Sequence, residues 1–144
     1  MSSFKEDKNI HNIAQVFAKE AFNFVRYNTR LKLNWEEYSV ATVEKILGMI
    51  HDEMSKKGFI EMQIYSLSKD FGSFIGEVYR RHHGATWGLV TMNDNEFTGL
   101  QTKQGGLFWP WGKVESRLKN GAEDNVYHYY QGLVELAKQN ASNT

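Results

Sequence analysis

The chain has 144 residues, enough for a single domain that buries roughly 70% of its unfolded surface in one core without metal or disulfide staples. Lys plus Arg and Asp plus Glu each number 17, so no net field draws the protein toward nucleic acid or anionic lipid. Cysteine is absent, which excludes disulfides, thiolate zinc sites and cysteine nucleophiles.

Residues 1–9 are polar and charged, with no apolar run behind them. They are expected to be disordered, and no signal peptide or membrane span is expected in a chain that reads as cytoplasmic. Ile10, Ile13, Ala14, Phe17, Ala21, Phe24 and Val25 then recur at spacings of three and four, predicting an amphipathic helix that ends near 28–30. Residues 31–38 read as a connector, with Ser39 as the N-cap of a second helix carried by Val40, Val43, Ile46, Leu47, Ile50 and Met54. Lys56, Lys57 and Gly58 supply its basic last turn and its stop. Leu67, Phe71, Phe74, Ile75 and Val78 define a third helix running to Gly84.

From Thr86 the texture becomes β-branched and aromatic. Residues 86–92, 97–102 and 106–109 predict three antiparallel strands separated by Asn93-Asp94-Asn95 and Lys103-Gln104-Gly105. Pro110, the lone proline, opens a short helix that Asn120-Gly121 closes. A last helix is expected to bury Val126, Tyr129, Tyr130, Leu133, Leu136 and Ala137. The fold class is therefore α+β, helices packed on a three-stranded antiparallel sheet, with a helical N-terminal half, in one domain over 1–144.

Few residues offer chemistry. Gly72 and Gly76 lie one turn apart on the third helix and admit a close neighbour, either a packed element or a ligand groove. Glu77 with Arg80 and Arg81 sets opposite charges at helical spacing, and a buried Glu77 is expected to be held by Arg80 or Arg117. A general acid or base would need a second polar partner and a cleft. No two of the five histidines have a spacing of three or four, so no metal site is expected, and the run His51-Asp52-Glu53 reads as a hydrated helix face. No cofactor motif is present: Gly105-Gly106 is explained by a turn. The run Leu107-Phe108-Trp109-Pro110-Trp111, together with Trp35, offers aromatic side chains either to the core or to a partner. Stacking on nucleotides is disfavoured because no basic strip borders them.

Two stretches resemble a family of small bacterial domains of unknown function. In one, Gly76-Glu77-Val78 leads through Gly84-Ala85-Thr86-Trp87; in the other, Val114-Glu115-Ser116-Arg117-Leu118-Lys119-Asn120-Gly121 precedes the final helix. The likeness spans roughly residues 60–137 and implies pattern positions at Gly72, Gly76, Glu77, Trp87, Arg117 and Gly121 rather than catalytic ones. Domains of this appearance resemble the immunity proteins of bacterial toxin systems. The resemblance implies a protein partner, a cognate toxin neutralised by steric occlusion; Trp35, Phe108, Trp109 and Trp111 are the expected anchors, because buried aromatic contacts dominate such interfaces. The competing expectation is a small hydrolase or ligand-binding domain whose pocket lies near Glu77, with His82 or His128 assisting. A nucleic-acid adaptor using Arg80, Arg81 and Arg117 is the weakest expectation, and oligomeric state is left open.

Overall fold

The computed structural model describes residues 1–142, with the side chains of 141 and 142 left aside. Its elements run β1 (Ser2–Glu6), α1 (Lys8–Asn28), α2 (Ser39–Lys57), α3 (Glu61–His83), β2 (Ala85–Met92), β3 (Asn95–Thr102), β4 (Leu107–Phe108), α4 (Pro110–Asn120), a 3-10 turn (Ala122–Asp124) and α5 (Val126–Ser142). The α+β class and the helical first half hold. The sheet, however, has four antiparallel strands in the order β1-β2-β3-β4.

The added strand is β1, built from residues expected to lack order. It pairs with β2 in the register Phe4↔Val90 and Glu6↔Gly88. Its side chains are mostly exposed, so no apolar pattern announces it; backbone hydrogen bonds to a strand far away in sequence hold it. Gly88 makes this possible, because a Cβ there would stand 2.1 Å from the Lys5 carbonyl oxygen. The β2–β3 hairpin turns through Asn93 (φ 52°) and Asp94 (φ 67°), both in the left-handed region that a two-residue type I′ turn requires.

α3 is the axis of the molecule. From Phe71 to Tyr79 every residue is buried, including Gly72, Ser73, Gly76 and Glu77, because α1 and α4 cover it on two sides and the sheet meets a third. A helix hidden all round needs small residues where neighbours approach most closely. A Cβ on Gly72 would lie 2.7 Å from the Trp111 Cα, and one on Gly76 would lie 2.6 Å from two ring carbons of Trp87. The aromatic pairs Phe22–Phe74 and Phe24–Phe71 bind α1 to α3, with ring centroids 5.4 and 5.6 Å apart in edge-on geometry.

Three local expectations are corrected. Tyr38, not Ser39, occupies the N-cap of α2; the Ser39 hydroxyl instead accepts from the Asn34 amide N–H at 2.9 Å and donates to Asn34 Oδ1 at 2.8 Å, bracing the connector. His51 does not lie on a hydrated face, since its Nδ1 is 2.7 Å from the Leu118 carbonyl oxygen and ties α2 to the end of α4. Leu136 is 57% exposed, because α5 projects past the core that holds Val126 and Tyr130.

Candidate functional site

Glu77 is a buried charge held by several donors at once. Its side chain is wholly buried, and Arg80 grips it bidentately, Nε to Oε2 at 2.7 Å and Nη2 to Oε1 at 2.9 Å. The Trp87 indole N–H donates to Oε2 at 2.8 Å and the Arg81 Nε–H to Oε1 at 3.4 Å. Burial by itself would raise the pKa of this carboxyl; hydrogen bonds from Arg80, Trp87 and Gln15 and the Arg80 charge outweigh it and bring it down to about 2. A carboxylate so held accepts no proton at neutral pH.

Nor does a reactant reach it. Gly72 and Gly76 are covered by Trp111 and Trp87, which fills the space where a pocket near Glu77 was expected. A hollow of about 380 Å³ beside Arg80 and Trp87 does not have Glu77 in its wall. His82 donates its Nε2–H to the Trp35 carbonyl oxygen at 2.7 Å, and His128 is exposed on α5. The acid and its expected assistants are thus not brought together.

Arg117 does not hold Glu77. It pairs with Glu44 of α2, Nη2 to Oε2 at 2.8 Å, and Glu44 Oε1 also accepts the Val126 amide N–H at the start of α5 at 2.9 Å. One carboxylate thereby joins α2, α4 and α5. With Arg80 and Arg81 on Glu77 and Arg117 on Glu44, the three arginines considered for nucleic acid are all matched by acids. Among the described residues, no group of three His, Asp or Glu is placed to hold a metal ion.

The four aromatic anchor candidates scatter. Phe108 is 2% exposed and packs edge-on against Tyr79, so it belongs to the core. Trp35 stacks on Phe74 at 5.4 Å and lies under the Arg81 guanidinium carbon at 3.5 Å. Trp111 donates its indole N–H to Ser73 Oγ at 2.8 Å. Trp35, Trp109 and Trp111 are all partly exposed, and Trp109 stacks at 5.4 Å on Phe97, itself 37% exposed.

A different region is open. Between α1, α2 and α3 lies a groove of about 750 Å³ walled by Phe24, Met49, Ile50, Met54, Met62 and Leu67. Of its lining residues, Met62 is 76% exposed and Met49 48%; Ile60 (53%) and Phe59 (45%) stand exposed just before α3, where Phe59 packs on the His51 ring of α2 at 5.9 Å. Asp70 and Glu53 are the charged residues of its wall, which contains no Lys or Arg. Glu53 is paired with Lys57, whose hydrogen bond and charge lower its pKa. Asp70 is the opposite case: burial first, then the Glu20 charge on α1, push it up to about 6.

Sequence reasoning did not find this groove. The signal for it was Met62, in a stretch after Gly58 that no predicted element absorbed, and Met49, an apolar residue outside the α2 stripe. No protein-family model, curated protein or solved structure matches the chain. No helix of the described residues is long and apolar enough to cross a membrane.

Proposed function

We propose that this chain is a protein-binding module of the immunity type, which neutralises a cognate bacterial toxin in the cytoplasm by steric occlusion. The observation that carries the reading is the apolar groove between α1, α2 and α3 with Met49 and Met62 exposed in its wall. Contiguous apolar surface left facing water marks a place where another molecule docks. The locked state of Glu77, enclosed by Arg80 and Trp87, supports binding over catalysis at the one site where an acid or base had been expected. The resemblance over residues 60–137 supplies the class of partner.

Co-expression with the product of the neighbouring gene tests the proposal. A stable complex and restored growth in cells making that product are the expected results; no complex together with no protection rejects it. Alanine at Trp109 and aspartate at Met62, made separately, report which exposed surface carries the contact.

A further inference from the structure

We propose that the groove between α1, α2 and α3 receives an amphipathic helix of the partner protein, with apolar side chains seated against Phe24, Ile50, Met54 and Leu67 and a Lys or Arg paired with Asp70. This rests on the protein-binding reading and names the surface and the chemistry it selects.

The shape favours a helix over a small molecule. The apolar surface does not end at the floor of the groove: Met49 (48% exposed) and Met62 (76% exposed) of its wall stand out into water, where a ligand confined to the cavity would leave them. A helix laid along the channel covers both floor and rim through side chains at i, i+3, i+4 and i+7. Three methionines line the groove, and their unbranched thioether chains adapt to an incoming surface at little cost.

Charge fixes the second element. Asp70 finds no hydrogen-bond donor among the described residues, although Glu77 on the same helix has several. Glu20 of α1 faces it with like charge, and Glu53 across the groove on α2 is already matched by Lys57. The adjacent Lys69 of α3 carries its ammonium over the rings of Tyr65 and Phe17, at 4.1 and 5.0 Å from their centroids. The Lys69 charge favours the Asp70 carboxylate but is outweighed by burial and Glu20, so a cation arriving from outside would meet an acid without a hydrogen-bond donor among the described residues, and burial of the pair would strengthen the attraction.

The test uses the full chain with ¹³C-labelled methionine methyls and two synthetic helical peptides, leucine-faced and identical except for Lys or Glu at the central position. A trimethylammonium amphiphile below its micelle concentration serves as the small-ligand probe. The Lys peptide is expected to shift the methyls of Met49, Met54 and Met62 and to leave Met92 unmoved. Asp70→Asn is expected to weaken that binding about tenfold at pH 7. The native chain should lose a similar factor between pH 7 and pH 5 as Asp70 takes up its proton, while the Asn variant stays level. Equal binding of the two peptides, no shift with either, a response to the amphiphile alone, or groove shifts that follow protein concentration without peptide would each overturn the proposal.

The two readings fail separately. If the neighbouring gene product is bound and its toxicity relieved while Met62→Asp and Asp70→Asn change neither, the groove is wrong and the protein-binding reading stands. Lys-selective peptide binding in the groove without any protection would do the reverse.

Discussion

Glu77 and Asp70 stand two turns apart on the same helix, and both look toward α1, yet the fold treats them in opposite ways. Around Glu77 every polar atom has a partner: two arginines and an indole N–H converge on one carboxylate in space that Trp87 and Trp111 have filled. Around Asp70 the groove wall mixes apolar side chains with Asn28, Gln63 and Ser66, the Glu20 charge repels it, and the space remains open. Burial acts on both groups, but only Glu77 receives hydrogen bonds in exchange for water. Desolvation alone therefore does not identify a working site; desolvation left without compensation does.

The sharpest way to break this contrast is to remove Glu77. Glu77→Ala leaves Arg80 and the Trp87 N–H without their acceptor, and the expected loss is about 3 kcal/mol, read from the urea midpoint. Next comes packing. Gly76→Ala would set a Cβ 2.6 Å from Trp87 ring carbons and is expected to cost about 2 kcal/mol after the gain in helix propensity. In the open region, Ser66→Leu adds apolar atoms to the groove wall and should change stability by less than about 0.5 kcal/mol. Equal costs at the two places would show that the groove is as closed as the Glu77 shell.

The pH dependence is the most diagnostic readout, because its sign differs between the two carboxylates. Glu77 has a folded pKa below its ordinary 4.5, so its contribution is complete above that pH and is lost as pH falls through about 2. Asp70 has a folded pKa above its ordinary 3.8. Its penalty is absent at low pH, and stability declines as pH rises through about 6. Asp70→Asn is accordingly expected to stabilise the free chain by about 1 kcal/mol at pH 7, discounted for partial solvent screening, and to flatten the stability profile between pH 5 and 7. A substitution that strengthens the fold while weakening the partner contact is what a functional acid would show; thermal melts at the two pH values check the first half.

Much of the helical frame could be read from local pattern. The three-and-four spacing in α1 and α2, Gly58 and Gly84 at helix ends, and the Asn93-Asp94 turn all act over a few residues, and the structure places them close to where they were expected. The candidate site was read less well. Trp35, Trp109 and Trp111 were singled out for their side-chain type, but whether a tryptophan is anchor or filler depends on what lies opposite it, and for Trp111 that is Gly72 on another element. Glu77 was identified correctly as a charge in need of a partner, with Arg80 as one candidate, while its second main donor, Trp87, comes from the sheet. Asp70 carried no signal at all, since an aspartate after Lys69 on a helix looks like ordinary solvated charge.

By itself, then, the sequence determined the class, the helices and the turns, because amphipathic period, caps and positive-φ residues are properties of neighbours along the chain. Tertiary structure decided the rest. It added β1 through backbone pairing with β2, closed the glycine notches of α3 with two tryptophans, and moved Arg117 from Glu77 to Glu44. It also left one groove unfilled, with an acid in its wall. Burial and charge environment are set by residues distant in sequence, so only the folded chain distinguishes the carboxylate that holds it together from the one left facing open space.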